Sequence, residues 1–303
     1  MAPIPDVSDF DPRYGECVQV ASGIRRVVAR NPSKYTAWGT GTYLVGEDPV
    51  AIIDPGPADE AHVDAVLRAV GGRAVTHLLI THTHADHSPA ARAVQERTGA
   101  ATYAFGPHPP DADTEGEEHG DREFRPDVSV RHGDVLRGDG FEFECLHTPG
   151  HISNHVCYAE RTRGALFSGD HVMGWSTTVI SPPDGDMAEY LASLRLLLGR
   201  DEVALFPTHG PPVERPRAHV EALIEHRLER EQQIVRQLAQ GPRTIAELVS
   251  VLYAEVREEL HRPAARSVEA HLISLQRSGE VRRDGDRWAV AEGRNRAQAR
   301  NRA

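Results

Sequence analysis

The chain has 303 residues, which is long enough for two domains at about 150 residues each. Its hydrophobic fraction of 39% and charged fraction of 26% are ordinary for a globular protein and exclude a wholly disordered or fibrous chain. The net charge is −11, but residues 241–303 carry 12 Arg against 9 acidic residues, which leaves −14 for residues 1–240. This acidic body opposes broad binding of nucleic acids.

Cysteine usage and the N-terminal segment bear on the cell compartment. Cys17, Cys145 and Cys157 form neither a CxxC pair nor an even set, which favours a reducing compartment. The first residues, MAPIPDVSDFDPR, do not combine a basic segment with an apolar run, so they do not resemble a secretory signal. No apolar run approaches the roughly 18 residues that a membrane span needs. We therefore expect a cytoplasmic protein that does not enter a membrane.

Short apolar runs alternate with helical patterns over the first 216 residues. Gly, Pro and Asp bound the runs that predict strands, which are Thr40–Val45, Val50–Ile53, Thr76–Ile80, Ala101–Phe105, Phe141–Leu146, His155–Tyr158, Ala165–Phe167 and Val203–Phe206. Apolar residues at helical spacing predict helices over Asp59–Val70, Ser88–Thr98 and Met187–Leu198. In the second of these, Ser88 is a suitable capping residue and Pro89 suits the first helical position. Strands mixed with helices indicate a layered α/β architecture.

One long segment inside this region lacks any apolar period. Residues 107–127 (PHPPDADTEGEEHGDREFRPD) are rich in proline and acidic residues. This composition favours a solvated loop. The alternative is that the segment forms a lid or rim over an active site.

The sequence changes character after Pro216. Arg217–Gln240 has apolar residues at helical spacing and is ended by Gly241-Pro242. Two more helices, Thr244–Leu260 and Ser267–Ser278, precede a hairpin over Glu280–Val290 with Asp284-Gly285 at its turn. Three helices followed by a hairpin is the order of a winged helix. We therefore predict a first domain over 1–216, a winged-helix-like domain over 217–290 and a disordered tail over 291–303.

The strongest chemical signal is the run Thr81-His82-Thr83-His84-Ala85-Asp86-His87, which directly follows the apolar segment Leu78–Ile80. Imidazole nitrogens and carboxylate oxygens are the usual ligands of catalytic zinc. Residues two apart do not share a helix face, so this spacing suits a loop at the end of a strand, where side chains can converge on a cleft.

Three further junctions between a strand and a loop carry residues of the same kinds. They are His147-Thr148-Pro149-Gly150-His151, Ser168-Gly169-Asp170 and Pro207-Thr208-His209-Gly210. Glycine and proline at these junctions permit sharp turns and close approach of the backbone. A lone histidine is usually a surface or core residue, but His and Asp residues clustered at four junctions predict a metal site.

The motifs HTHADH, HTPGH, SGD and PTHG, in this order, resemble the signature of the metallo-β-lactamase superfamily, and Ile53-Asp54-Pro55-Gly56 matches a turn common in that family. The resemblance covers about residues 20 to 215. It implies an αββα sandwich with the metal centre along one edge of the two sheets.

The resemblance also implies a ligand set for two metal ions. One metal would be held by His82, His84 and His151, the second by Asp86, His87 and His209, and Asp170 would bridge both. His84 disfavours the diiron flavoprotein branch, which has a carboxylate at that position. We expect two zinc ions, with iron and manganese left open.

The C-terminal region carries a second resemblance. His219–Gln233, with its sequence REQQ, and the following winged helix resemble one branch of the superfamily. That branch pairs the hydrolase domain with a C-terminal winged helix, and it includes an endoribonuclease acting on single-stranded RNA and fungal polyketide thioesterases.

The implied mechanism is hydrolysis by a hydroxide that bridges the two metals, since bound divalent cations can lower the pKa of water to about 7. Asp86 and Asp170 are the predicted catalytic residues, and Asp54 is a candidate for orienting the ligand rings. Candidates for substrate contact follow the metal motifs: Ser153, Asn154, His155, His171 and Trp175. A buried structural hydrogen bond is an equal alternative for His155 and for His171, and a core position is an equal alternative for Trp175.

Three function classes remain open at this point. The first is cleavage of single-stranded RNA, the second is hydrolysis of a small-molecule thioester or ester, and the third is a non-catalytic metal sensor whose winged helix binds DNA. DNA reading needs basic, solvent-facing residues on the third helix, where only Arg266, Arg277 and His271 are available. The sequence disfavours the third class, does not choose between the first two, and carries no signal for oligomeric state.

Overall fold

The computed structural model describes residues 7, 9–110, 112, 119–257 and 260–291. A first sheet has seven strands in sequence order: β1 (Val18–Ala21), β2 (Ile24–Val28), β3 (Gly41–Val45), β4 (Val50–Ile53), β5 (Val75–Leu79), β6 (Ala101–Ala104) and β7 (Val128–Ser129). A second sheet has five strands in the order β12-β11-β10-β9-β8: β8 (Val135–Gly138), β9 (Phe141–His147), β10 (Val156–Glu160), β11 (Ala165–Gly169) and β12 (Ala204–Pro207). The helices of this region are α1 (Glu60–Val70), α2 (Ala90–Thr98) and α3 (Met187–Leu198).

The two sheets are stacked between layers of helices. Alternate residues of β3 and β4 point to opposite faces, so Tyr43 and Ile53 join a core between the sheets, while Leu44 and Ile52 join a second core beneath α1 and α2. The outer face of the second sheet packs against α3 in a third core. Both faces of these strands are therefore buried, which explains their continuous apolar runs. The layers confirm the αββα sandwich.

The direction of the strands places all four ligand-bearing junctions at one edge of the sandwich. In the first sheet β4 and β5 are parallel, so the residues that follow them lie side by side. In the second sheet β11 and β12 are parallel, and β9 runs in the same direction because β10 is antiparallel to both β9 and β11. Loops that leave the carboxyl ends of these five strands can therefore meet.

The C-terminal region is a small helical unit with a wing. It contains α4 (Pro216–Leu238), α5 (Ile245–Leu252), α6 (His261–Arg277) and a three-stranded sheet in the order β13-β15-β14, formed by β13 (Arg243–Thr244), β14 (Val281–Asp284) and β15 (Arg287–Val290). Its core includes Leu248, Val268, Leu272 and Trp288. The predicted winged helix is confirmed.

Helix α4 belongs to two cores. Val220 and Leu223 in its first half pack in the core of the second sheet, whereas Ile234 and Leu238 in its last turns pack in the C-terminal core. Ala270 of α6 also reaches the core of the second sheet. The predicted boundary at residues 216 and 217 thus coincides with the start of a helix that joins the two units by packing.

Some element boundaries differ from those predicted. The helix predicted over Thr244–Leu260 ends earlier, at Leu252, with Tyr253 as its C-terminal cap. Helix α6 begins at His261, six residues before the prediction, with Pro263 in its first turn, where no amide hydrogen is required. Ser88 does not cap α2, which begins at Ala90; its hydroxyl donates to the Asp121 carboxylate instead.

Strands β1, β2, β7, β8 and β13 were not predicted. They are short or have polar residues in their apolar pattern, such as Gln19 in β1 and Arg25 and Arg26 in β2. The predicted tail lies outside the described residues from 292 onward. In the part of the chain that the structure describes, no helix is both long and apolar enough to cross a membrane.

Candidate metal centre

One buried carboxylate lies behind the loops that converge at the edge of the sandwich. Asp54 follows β4 in the left-handed conformation (φ 48°). Its Oδ1 accepts a hydrogen bond from the Thr81 amide at 2.8 Å, and its Oδ2 accepts from the hydroxyls of Thr81 and Thr208 at 2.8 and 2.9 Å. The same Oδ2 lies 2.9 Å from His87 Nδ1. Asp54 therefore ties the loop after β5 to the loop after β12 and leaves Nε2 of His87 available as a ligand.

The first group of ligand atoms consists of three imidazole nitrogens. His84 Nδ1 lies 2.9 Å from His82 Nε2 and 3.1 Å from His151 Nε2. Burial is the largest cause that lowers the pKa of all three histidines, and the neighbouring rings lower it further. The rings are therefore neutral, and their lone pairs can bind a cation. Two nitrogens bound to one tetrahedral zinc at about 2.05 Å stand about 3.3 Å apart, close to these spacings.

The second group combines a carboxylate with two imidazoles. Asp86 Oδ2 lies 3.4 Å from His87 Nε2 and 3.2 Å from His209 Nε2. Burial opposes protonation of these rings, but the surrounding carboxylates outweigh it. They raise the pKa of His87 well above its ordinary value and that of His209 to about 10. The carboxylates thus attract positive charge to this position.

Asp170 lies between the two groups. Its Oδ1 is 3.6 Å from His87 Nε2 and 3.4 Å from His209 Nε2, while its Oδ2 is 3.9 Å from His151 Nε2. Ligand atoms of His82, His87 and Asp170 also lie within 4.8 Å of one another. One carboxylate thus faces both groups, as a bridging ligand would.

The buried polar atoms test whether the site fits metal ions. His87 Nε2, His209 Nε2 and Asp170 Oδ1 are buried and make no hydrogen bond within the described residues. Buried polar atoms without a partner are rare in folded proteins. All three face the space between the groups, so a cation there would satisfy them. Five imidazoles and two carboxylates suit divalent cations that accept nitrogen and oxygen ligands.

Three contacts that hold ligands in place were not expected from the sequence. The carbonyl of Gly39 lies 3.1 Å from His209 Nδ1, and the carbonyl of Val179 lies 2.7 Å from His151 Nδ1. The Thr40 hydroxyl donates to Asp86 Oδ2 at 3.0 Å. Two of these partners are backbone carbonyls, which any residue could supply, so no residue type signals them.

Two of the candidate substrate residues are buried and hold the loops together. Asn154 donates through Nδ2 to Thr83 Oγ1 at 2.8 Å and to the Pro107 carbonyl at 3.1 Å. His155 is fully buried; its Nδ1 lies 2.9 Å from Thr148 Oγ1, and its Nε2 accepts from the Asp170 amide at 3.2 Å. For His155 this placement favours the structural alternative.

The other three candidates differ in exposure. His171 is fully buried, with its ring against Tyr190 at 5.0 Å between centroids. Ser153 is half-buried, and its amide donates to Asp184 Oδ2 at 2.6 Å. Trp175 is half-buried and packs against Gly210, the residue after the predicted ligand His209. Trp175 is therefore the aromatic candidate that lies next to a predicted metal ligand and is partly exposed to solvent.

The described residues of the loop over 107–127 contact the loop of residues 81–87, which carries four of the predicted ligands. The Ala85 amide donates to the His119 carbonyl at 2.8 Å, and the Asp121 amide donates to the Thr83 carbonyl at 2.8 Å. Residues 111 and 113–118 lie outside the described part. At the other end of the segment, His108 Nδ1 lies 2.9 Å from Thr83 Oγ1, so both described ends contact the loop of residues 81–87.

Comparison with known proteins agrees with this geometry. Residues 35–209 match the family described as the metallo-beta-lactamase superfamily. Residues 244–288 match the family described as the beta-lactamase associated winged helix domain. A crystal structure of a beta-lactamase domain protein from Burkholderia ambifaria has the same fold, with a TM-score of 0.79 and 23% identity, over 94% of this chain and 96% of that one.

Two relatives are similar over about nine tenths of their own length. The beta-lactamase-like protein 2 homolog of Drosophila melanogaster is 32% identical over 276 residues, covering 87% of this chain and 91% of the relative. An atrochrysone carboxyl ACP thioesterase of Aspergillus terreus is 26% identical over 303 residues, covering 93% and 89%. The chain therefore belongs to the metallo-beta-lactamase superfamily and is a hydrolase whose metal-binding fold is followed by a winged-helix domain.

Proposed function

We propose that this protein hydrolyses acyl thioesters with two divalent cations, zinc being the first choice, bound by His82, His84, Asp86, His87, His151, Asp170 and His209. The observation that carries the thioester assignment is the similarity to a thioesterase over 93% of the chain, which includes the winged helix. The arrangement of the ligand atoms in two groups joined by Asp170 supports the two-cation centre.

Bound cations of this kind supply a water molecule of lowered pKa and a positive charge that polarises a carbonyl. Asp86 is the one predicted ligand that is not fully buried, with a side chain that is 14% exposed. It therefore faces the cleft, where its carboxylate can accept the proton of an incoming water while Oδ2 faces His87 and His209. The Thr40 hydroxyl, donating to this oxygen at 3.0 Å, orients the carboxylate. Asp170 keeps the two groups at a fixed separation.

An aromatic wall beside His209 supports an apolar acyl group as the substrate. Trp38 and Trp175 meet edge to face at 6.3 Å, and Phe10 packs on Trp38 at 5.1 Å. Trp38 precedes Gly39, whose carbonyl contacts His209, and Trp175 packs on Gly210. All three rings are half-buried. Pockets for small molecules combine such apolar walls with a few polar groups. In this site the polar groups are the proposed metal ligands.

The winged helix gives little support to a nucleic-acid substrate or to a DNA-binding sensor. The three basic candidates on α6 are engaged within the chain: Arg266 contacts Ser181 and Glu269, Arg277 pairs with Asp186, and His271 is fully buried. Little positive charge is therefore available on α6 to bind a DNA groove or a phosphate backbone. We accordingly favour the thioester over RNA.

The test is a substrate panel with metal-loaded protein. It contains acyl thioesters of coenzyme A and of pantetheine with short, long and aromatic acyl groups, the matching oxygen esters, and a single-stranded RNA oligonucleotide. We expect thioesters with long or aromatic acyl groups to have the highest kcat/KM and the RNA to stay intact. Cleavage of RNA that Asp86→Asn abolishes, with no thioester hydrolysis, would instead establish the nuclease alternative.

A further inference from the structure

A two-residue segment contacts both Asp170, which faces the two groups of ligand atoms, and His151 of the first group. The Thr178 hydroxyl donates to the Asp170 carbonyl at 2.7 Å and to the His171 carbonyl at 3.1 Å. The next carbonyl, that of Val179, lies 2.7 Å from His151 Nδ1. The following residue, Ile180, is fully buried in the core beneath the second sheet. A shift of residues 178 and 179 would therefore move the bridging carboxylate and a ligand of the first group together.

A buried arginine from the C-terminal unit holds this segment. Arg227 of α4 is 3% exposed, and its Nη2 donates to the carbonyl of Thr178. Its Nη1 donates to Ser267 Oγ of α6 at 3.3 Å, and the guanidinium lies over the ring of Tyr190 at 5.3 Å. In the regions that the structure covers, no carboxylate lies within ion-pair distance of it. A buried cation without such a partner depends on its hydrogen bonds, and here one of these reaches the metal-binding region.

Helix α6 holds the same loop further along. Arg266 donates to Ser181 Oγ at 3.0 Å and to the Pro182 carbonyl, and Arg277 pairs with Asp186. The arginines of the C-terminal unit thus contact the loop between β11 and α3 at several successive points. The planar guanidinium suits this use because it presents donors in two directions.

We propose that Arg227 is a positioning residue through which the winged-helix unit sets the geometry of the metal centre. Through the Thr178 carbonyl, it fixes the segment that orients Asp170 and His151, while Ser267 anchors its other nitrogen to α6. The winged helix is then a structural part of the metal centre rather than an attached binding module. This inference rests on the proposed two-cation centre but does not depend on the thioester substrate.

The experiment measures cation binding by the full-length protein, so it does not rely on activity. Metal-free wild type and variants are titrated with Co²⁺ against a chromophoric chelator, and the visible spectrum of the loaded protein is recorded. Arg227→Met keeps the length of the side chain but removes its donors, whereas Arg227→Lys keeps the charge and a donor. The matched control is Arg230→Met on the same helix, because Arg230 donates to Leu252 and stacks on Tyr253 inside the C-terminal unit.

We expect Arg227→Met to weaken Co²⁺ binding by about tenfold, the lower end of the range for groups that orient ligands, and to change the spectrum. Arg227→Lys should recover part of the affinity, and Arg230→Met should bind Co²⁺ as wild type does even if its thermal unfolding temperature falls. Equal Co²⁺ affinity in Arg227→Met and Arg230→Met, or an unchanged spectrum, would overturn the proposal.

If Arg227→Met does not fold, two smaller substitutions test the same contacts. Thr178→Val removes the hydroxyl that reaches Asp170, and Ser267→Ala removes the anchor on α6. Both should weaken Co²⁺ binding, Thr178→Val more strongly. Wild-type affinity in both variants would overturn the proposal. Wild-type protein that binds two cations but hydrolyses no thioester would leave this inference standing and remove only the proposed substrate.

Discussion

Asp54 Oδ2 lies 2.9 Å from Nδ1 of His87 and within 2.9 Å of two threonine hydroxyls from loops more than 120 residues apart in sequence. The carboxylate therefore orients a ligand of the second group and joins the loops that carry four other ligands.

Replacing Asp54 with Asn should weaken the second metal position. Asparagine tolerates the left-handed backbone at φ 48°, so the change tests the carboxylate rather than backbone strain. We expect a loss of about tenfold to a hundredfold in affinity for one of two cations, measured by competition with a chelator. The control is Asp59→Asn, at the cap of α1, which should bind both cations normally. Unchanged affinity in Asp54→Asn would show that the contact between the Asp54 carboxylate and His87 does not contribute to cation binding.

Gly150 should not tolerate a side chain. It has φ 136°, and a Cβ there would stand 2.4 Å from Cα of Tyr190 in α3. Gly150→Ala should therefore displace the adjacent ligand His151 and lower the free energy of unfolding by about 1–3 kcal/mol through overpacking, in addition to backbone strain.

The matched control for this change is Gly133→Ala, which also has a positive φ (85°) but no neighbouring atom within 4 Å of the added carbon. It should lose only about 1–2 kcal/mol from backbone strain and should bind metal as wild type does. Chemical denaturation and metal titration of both variants check the difference. Equal losses in the two would show that contact with Tyr190 is not the cause.

His62 should make the fold sensitive to mild acid. Burial is the main cause that lowers its pKa from 6.5 to about 4, and its Nε2 lies 2.8 Å from the Thr42 hydroxyl. Because the folded pKa is depressed, this group contributes stability above pH 6.5 that is lost as the pH falls through 4. The full contribution is about 3 kcal/mol at 1.36 kcal/mol per pKa unit.

The measurement is the free energy of unfolding between pH 7 and pH 4 for wild type and His62→Gln, which keeps a polar group near Thr42 but does not titrate. The decline with falling pH should be shallower in His62→Gln. Titration of the metal ligands is common to both proteins and cancels in the difference. His132→Gln, at an exposed position, is the control and should follow the wild-type curve. Parallel curves for His62→Gln and wild type would contradict the prediction.

Trp38 should select for large acyl groups. Removing its ring from the aromatic wall should raise KM for a long or aromatic acyl thioester about tenfold, which corresponds to about 1.4 kcal/mol of lost apolar contact. Hydrolysis of an acetyl thioester by Trp38→Ala should stay close to the wild-type value, because the small acyl group does not reach the wall. Steady-state kinetics on both substrates test this, with metal content measured alongside. An equal loss on both substrates would mean that the change damages the centre itself.

The fold could be predicted from the sequence for identifiable reasons. Continuous apolar runs such as Val50–Ile53 are strands buried on both faces, and the ligand types cluster just after such strands. The helix ends were predicted less well, because Ser88 contacts Asp121, 33 residues away, rather than its own helix.

Most of the residues that hold the predicted ligands in place could not be identified from the sequence. In the sequence, Arg227 is one of many charged residues on an amphipathic helix. In the structure it is buried and contacts Thr178, 49 residues away. Val179 acts only through its carbonyl, which carries no signal of residue type. Asp54 was predicted to orient the ligand rings because it lies in the turn Ile53-Asp54-Pro55-Gly56, which matches the family. Arg227 and Val179 lie in no such motif.

The most direct test of the two-cation centre is the number of cations bound per chain, measured by elemental analysis after Zn²⁺ or Co²⁺ titration and gel filtration. Wild type should bind two. His84→Ala should lose the first cation and His209→Ala the second, so that each retains one, and Asp170→Asn should weaken both and abolish hydrolysis. Binding of no cation by wild type, or full hydrolytic activity in Asp170→Asn, would contradict the account.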